Sequence, residues 1–154
     1  MISLGLICAF LIRLVLVLLF LPFSALDKIL NFRGAVGQAA EISKPLAPLL
    51  IICGLFVEIV MTLGVVTSIA DRFSAFILAG YCGVTALLWK QFWAQGDFWE
   101  GGKGRDLFWD FLKNFALAAG FLLITFGTGP ADLAGFLNHP FASTHVYGSI
   151  EGTR

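Results

Sequence analysis

The chain has 154 residues, of which 58% are hydrophobic and only 13% are charged. A soluble chain of this length has one modest core, which has no room for several continuous apolar runs, so an ordinary soluble domain is excluded. Ten basic residues balance ten acidic ones, which leaves no basic surface for nucleic acid. The composition therefore predicts an integral membrane protein.

Four apolar runs are long enough to cross a bilayer as helices, because about 20 residues span its hydrocarbon core. The first ends at Pro22; it differs from a signal peptide because it lacks a basic start, is too long and contains Arg13. Ser43 is the expected N-cap of the second. The predicted fold is all-α: a four-transmembrane-helix bundle in residues 1–129, followed by a polar extramembrane tail at 130–154. The spans are expected at about residues 2–23, 46–70, 73–93 and 107–127.

Between the first two spans, apolar residues recur at helical spacing among charged ones. Leu26 and Ile29 alternate with residues such as Lys28 in this way. This pattern predicts an amphipathic helix that lies in the membrane interface and is interrupted around Gly34 and Gly37.

The loop between the third and fourth spans is rich in tryptophan, with Trp99 inside it and Trp93 and Trp109 beside it. Tryptophan collects at membrane interfaces because its ring is apolar and its N–H seeks water. We interpret this loop as an interfacial anchor; a docking surface for a partner is the alternative.

Basic residues near the span ends predict the orientation, because they are enriched on the cytoplasmic side. Two of them, Arg72 and Arg154, fall on the side of the termini. The opposite side has seven, so both termini are expected outside the cytoplasm; the seven are Lys28, Arg33, Lys44, Lys90, Lys103, Arg105 and Lys113.

Two ionisable residues, Arg13 and Glu58, lie near the middle of apolar runs. A charge at mid-membrane costs at least about 2.5 to 3.5 kcal/mol, so it persists when it is paired, hydrated or needed. With 1.5 Å per residue, each lies about 18 Å deep, so the two are expected to form a pair. The pair either fixes helix register or forms a ligand site, to which Thr62 and Thr85 could add hydroxyls.

A second polar cluster is expected at the cytoplasmic boundary, where Lys28 follows the first span and Lys113 and Asn114 begin the apolar part of the fourth. Lysine at a helix end usually extends to lipid headgroups. The amide of Asn114 needs hydrogen-bond partners if it lies within the hydrocarbon.

No metal site and no catalytic residue are predicted. Cys8, Cys53 and Cys82 lie singly in separate apolar runs, without metal-ligand spacing. His139 and His145 lie in the tail without a third ligand, which favours an ordinary solvated tail.

Three short segments, in this order and spacing, resemble the DoxX family. The first is FLPFSALDK at residues 20–28, and the second is LGVVT at 63–67, which follows Glu58. The third is KNFAL at 113–117, and the resemblance extends over about residues 9–127.

The resemblance implies a small four-helix, multi-pass protein of the bacterial inner membrane. In that membrane, the orientation expected from the basic residues places both termini in the periplasm. The family is associated with a terminal quinol oxidase and with thiosulfate:quinone oxidoreduction, although most members have no defined activity. Its polar signature falls on Arg13, Lys28, Glu58, Lys113 and Asn114, and the tail departs from the family core and is a candidate contact with a partner.

The function expected from these features is a non-catalytic accessory subunit of a membrane-bound, quinone-linked redox or respiratory complex. The sequence has no ligand set for haem, flavin or an iron–sulfur cluster, so the chemistry would belong to the partner. The expected partners are membrane lipids and a larger membrane complex, and the expected ligand is a quinone or a lipid, with no covalently bound cofactor. The alternative is an independent quinone-binding, small-molecule-binding or transport protein that uses Arg13 and Glu58. The solitary cysteines argue against a thiol oxidoreductase.

Overall fold

The computed structural model describes residues 4–148, which form helices and connecting segments without any β-strand. The predicted start of the first span at residue 2, Arg154 and the end of the tail lie outside the described residues. The α-helices are α1 (Leu4–Val17), α2 (Ala25–Leu30), α3 (Phe32–Ala39), α4 (Ala47–Phe56), α5 (Thr62–Thr67), α6 (Asp71–Trp89), α7 (Lys103–Phe126) and α8 (Pro130–Asn138).

Within residues 4–148, four helical stretches are long and apolar enough to cross a membrane, by their length and composition. Large apolar side chains such as Ile12 and Val15 are exposed on their outer faces, as suits a surface in contact with lipid. The prediction of an all-α protein with four such helices is confirmed. Spans one to four are Leu4–Leu30, Ala47–Thr67, Asp71–Ala94 and Lys103–Phe126.

Span one is bent after α1, where the chain passes through the π-helical segment Leu19–Ser24 before α2 begins. Leu21 has φ −128° and ψ 116°, outside the helical region, because a residue that precedes proline disfavours the α conformation. The helical path continues beyond this bend as far as Leu30, farther than the sequence predicts. Residues 25–30 therefore belong to the bundle.

The segment that follows span one is helical, as α3, but its interruption differs from the prediction. Asn31 separates α2 from α3 with φ −109° and ψ 36°, whereas Gly34 and Gly37 lie inside α3. The predicted interruption around these two glycines is therefore wrong. The location of this segment in the membrane interface stays a prediction.

Span two consists of α4, the π-helical turn Val57–Met61 and α5. Leu46 precedes α4 without a side-chain capping bond, so the predicted N-cap Ser43 is wrong. At the other end, Ser68 and Ala70 adopt left-handed φ values of 60° and 47°. These residues reverse the chain in a tight turn, so spans two and three are antiparallel neighbours.

The core lies between the inner faces of spans one to four, and the α6–α7 pair is its most extensive helix contact. Small residues such as Ala75 and Ala79 are buried in α6, where they allow close helix approach. The buried cluster consists of Val17, Phe20, Val65, Ala75, Leu78, Ala79, Cys82 and Phe121.

The tail folds back onto the bundle. Gly127, with φ 63°, ends α7, and α8 follows it. Beyond α8, Phe141 stacks against Phe73 of span three with a centroid distance of 4.7 Å. We call residues 141–147 the C-terminal strap; it contacts the bundle through a few side chains, whereas His139 and His145 are exposed. The location of the tail outside the membrane stays a prediction.

Candidate ligand site

A buried carboxylate, Glu58, is the centre of a polar network within the bundle. Its side chain is 1% exposed. Its Oε1 atom accepts hydrogen bonds from Ser24 Oγ at 2.9 Å, Lys28 Nζ at 2.7 Å and Tyr81 Oη at 2.8 Å. Spans one and three thus supply the donors to one oxygen atom of span two.

The backbone of spans one and two places these groups. Ser24 and Lys28 are four residues apart beyond the bend of span one, so their side chains lie on one face, and Lys28 Nζ also donates to Ser24 Oγ at 2.6 Å. Glu58 lies in the π-helical turn of span two. Such turns are rare and are often found at functional sites.

A glycine makes room for the third donor. A Cβ atom at Gly54 would lie 3.2 Å from the hydroxyl oxygen of Tyr81, tighter than nearly all contacts of this kind. Gly54 is four residues before Glu58 and on the same helix face. The missing side chain therefore lets the tyrosine hydroxyl reach the carboxylate.

Two buried polar atoms of span two have no hydrogen-bond partner within residues 4–148: Glu58 Oε2 and Thr62 Oγ1. Their side chains are one helical turn apart on the same face. An unpaired buried polar group costs about 1 to 3 kcal/mol, and more when it is charged. The unused carboxylate oxygen is therefore suited to a ligand group that donates a hydrogen bond.

The charge of this network is nearly balanced, because Lys28 compensates Glu58. The lysine side chain is 21% exposed, so its charge lies at the edge of the bundle. In the part of the chain that the structure describes, no group of three or more His, Cys, Asp or Glu residues could hold a metal ion. The chemistry available at Glu58 is hydrogen bonding and proton acceptance.

A second buried network surrounds Arg13, which is 6% exposed. Its Nη1 atom lies 2.6 Å from Asp71 Oδ2 and donates to the carbonyl of Val65 at 2.7 Å. Asp71 is fully buried, at the start of span three. This network lies beside the turn between spans two and three.

The C-terminal strap completes the second network. Thr144 donates its backbone N–H to Asp71 Oδ1 at 2.9 Å and its hydroxyl to Asp71 Oδ2 at 2.5 Å, and its hydroxyl oxygen accepts from Arg13 Nη2 at 2.9 Å. Ser143 Oγ accepts the N–H of Ala70 at 3.0 Å. The Tyr147 ring lies 5.9 Å from Arg13 Cζ, and burial raises the pKa of its hydroxyl, which keeps the ring neutral beside the cation.

The predicted pair of Arg13 and Glu58 is wrong, because each residue pairs with a different partner. Arg13 is level with Val65, which is seven residues and about 10 Å along the helix from Glu58. Span one continues past its bend, so Lys28 forms the ion pair with Glu58. Arg13 forms its ion pair with Asp71.

The predicted cluster of Lys28 with Lys113 and Asn114 does not form either. Lys113 is 73% exposed and forms an ion pair with Asp110 at 3.3 Å, and Asn114 Nδ2 donates to the Asp110 carbonyl at 2.9 Å. Lys90 also pairs with Asp110, at 3.1 Å. These contacts belong to one edge of spans three and four.

Several residues of the two networks were not among the candidates from the sequence, among them Ser24, Asp71, Tyr81 and Thr144. A tyrosine within an apolar run is a detectable signal, and Tyr81 could have been found in this way. Asp71 falls between the predicted second and third spans, at 46–70 and 73–93, so it was expected in the connecting turn and not in a buried network. The sequence holds no comparable signal for Thr144, which is 73 residues from its partner.

In a comparison with known protein families, the DoxX family model matches residues 8–91. These are 84 of the 154 residues, more than half of the chain. The matched part includes the whole Glu58 network and the Arg13–Asp71 pair, whereas Lys113, Asn114 and the strap lie beyond it. Comparisons with curated proteins and with solved structures gave no match.

Proposed function

The chain belongs to the DoxX family and is a multi-pass membrane protein, and we propose that it binds a quinol headgroup at Glu58 as an accessory subunit of a membrane redox complex. In this proposal the subunit has no catalytic activity of its own, and the electron-transfer centres belong to its partner. The membrane is the bacterial inner membrane, with both termini in the periplasm.

One observation carries the proposal: Glu58 Oε2 is buried and has no partner in residues 4–148, whereas Oε1 has three. A quinol presents phenolic hydroxyl groups, which donate hydrogen bonds. The oxidised quinone has only acceptor oxygens, so it cannot donate to Glu58 Oε2; it would depend instead on the Thr62 hydroxyl and the remaining N–H of Lys28. The site therefore favours the quinol over the quinone.

The position of the site supports a ligand that arrives from the lipid. Ser24 and Lys28 lie in span one, and the outer faces of the spans carry exposed apolar side chains. A headgroup at Glu58 would leave the isoprenoid tail of a quinol among these side chains and the lipid. A free polar metabolite has no such tail to place there.

The aromatic loop supports the accessory role. An open groove of about 450 Å³ lies between spans three and four, and Trp99 beside it is 92% exposed. Aromatic residues are enriched both at membrane interfaces and at protein interfaces. The groove is lined by Phe92, Trp93, Gly96, Phe98, Trp99 and Phe108.

The accessory role is tested by extracting the protein in mild detergent, separating it on a native gel and identifying co-migrating proteins by mass spectrometry. Co-migration with a quinone-linked enzyme is expected, and migration of the protein alone contradicts the accessory role.

Quinol binding is tested with Glu58→Gln in lipid nanodiscs. The affinity for a short-chain quinol, kept reduced, is measured by ligand-induced thermal stabilisation. We expect a loss of about tenfold or more, because a hydrogen bond to a charged group contributes about 1.5 to 3 kcal/mol.

The matched control is Glu41→Gln, the same change at an exposed position, which should bind as the parent does. Unchanged quinol affinity in Glu58→Gln, or a parent that binds quinone and quinol equally, contradicts the proposal.

A further inference from the structure

The two buried networks lie along one face of span two. Glu58 belongs to the first network, and the carbonyl of Val65 belongs to the second. Thr62 lies between them, four residues after Glu58 and three before Val65, which places all three on one helix face. The Thr62 hydroxyl is buried and has no partner within residues 4–148. A row of polar groups, formed by Glu58, the free Thr62 hydroxyl and the Val65 carbonyl, thus connects the two networks; we call it the polar line.

The strap closes one end of this line. Thr144 makes two bonds to Asp71 and one to Arg13, and Ser143 receives one from Ala70. Thr144 itself is exposed on its outer side. These few polar contacts, with the Tyr147 ring 5.9 Å from Arg13 Cζ, cover the buried Arg13–Asp71 pair.

We infer that the strap is a gate, and that when it leaves, water enters along the Val65–Thr62–Glu58 face. The inference rests on the proposed function only for its purpose: when the partner complex withdraws electrons from the bound quinol, Glu58 accepts a proton that the quinol hydroxyl releases, and water on this route carries that proton away. The route itself is defined by Thr62 and the strap. Water suits it because a water molecule can donate to Glu58 Oε2 and can both donate to and accept from the Thr62 hydroxyl.

A native cysteine can report the opening. Cys82 is fully buried and packs in the same core cluster as Val65 and Val17, beside the proposed route. Cys8 and Cys53 are exposed on the outer faces and are replaced by alanine in a parent variant. Labelling of the remaining thiol by the water-soluble reagent methanethiosulfonate ethylammonium then measures how often water reaches the core.

The test variant is Thr144→Val, which removes the hydroxyl bonds to Asp71 and Arg13. We expect Cys82 to be labelled about tenfold faster or more, since charge-assisted hydrogen bonds of this strength shift an equilibrium by at least that factor. The matched control is Thr67→Val, whose exposed hydroxyl bonds only to the carbonyl of Leu63, and it should react at the parent rate.

Two further variants separate gating from misfolding. Thr144→Ser keeps the hydroxyl and should restore the parent rate, and Ser143→Ala, which loses one weaker contact, should show a smaller increase. Adding Thr62→Val to Thr144→Val should slow the labelling again. Parent-rate labelling in Thr144→Val, or equal acceleration in Thr67→Val, overturns the inference.

Quinol affinity measured on the same variants keeps the two proposals apart. If the strap variants label as expected while Glu58→Gln still binds quinol, the proposed function fails and the gate stands. If Glu58→Gln loses quinol and Thr144→Val labels as slowly as the parent, the gate fails and the proposed function stands.

Discussion

The two buried ionic networks differ in how completely their carboxylates are paired. Asp71 has partners on both oxygens: Oδ1 accepts two backbone N–H groups, and Oδ2 accepts bonds from Arg13, Thr144 and Ser68. Glu58 has three donors on one oxygen and none from residues 4–148 on the other. A saturated network is suited to holding the fold, whereas a half-filled one is suited to binding.

The largest effect on stability is expected from breaking the saturated network. Arg13→Met leaves the buried Asp71 charge without its cationic partner, although the neutral donors of Thr144, Ser68 and the Arg72 N–H remain. The loss of one partner of a buried pair costs about 3 to 5 kcal/mol. The free energy of unfolding, measured by denaturant titration in detergent, should fall by this amount. A change below about 1 kcal/mol would mean that the pair contributes little.

Removing both charges should cost less than removing one. In Arg13→Met with Asp71→Leu no unpaired charge remains, and buried pairs replaced by apolar residues are often neutral in stability. The double variant should therefore recover at least half of the loss of Arg13→Met in the same titration. If the loss in the double variant equals the sum of the losses in Arg13→Met and Asp71→Leu, the ion pair is not the source of the effect.

A smaller effect is expected at the half-filled network. Tyr81→Phe removes one of three donors to Glu58 Oε1, so the carboxylate keeps two, and the loss should be about 1 kcal/mol. Quinol affinity should fall by a few fold, since the carboxylate becomes less well positioned. Gly54→Ala, which crowds the Tyr81 hydroxyl, should also lower the affinity for quinol. Unchanged quinol affinity in both variants would show that Tyr81 does not contribute to binding.

The smallest effect is expected at the exposed pair of Lys113 and Asp110. Exposed ion pairs contribute about 0 to 1 kcal/mol, so Lys113→Met should leave unfolding and quinol affinity nearly unchanged. It is also the control for Arg13→Met, because both changes replace a basic residue by methionine. An effect of several kcal/mol would place Lys113 in a buried contact that the structure lacks.

The fold could be predicted because long apolar runs identify membrane-spanning helices without knowledge of their neighbours. The cost of burying charge also identified Arg13, Glu58 and Lys28 as special, and each of them is in one of the networks. Their partners could not be predicted, because pairing depends on depth along the helices. The bend at Leu21 shifts Lys28 to Glu58, and a strap distant in sequence reaches Asp71.

The bond between Arg13 and Thr144 joins residues 131 positions apart. During synthesis the first span emerges early, and Thr144 emerges only after all four spans have been made. Until then, Asp71 lacks two of the donors that it has in the finished protein. The strap therefore completes the Asp71 network only after all four spans have been made, and a chain that stops before Thr144 leaves this buried charge under-compensated.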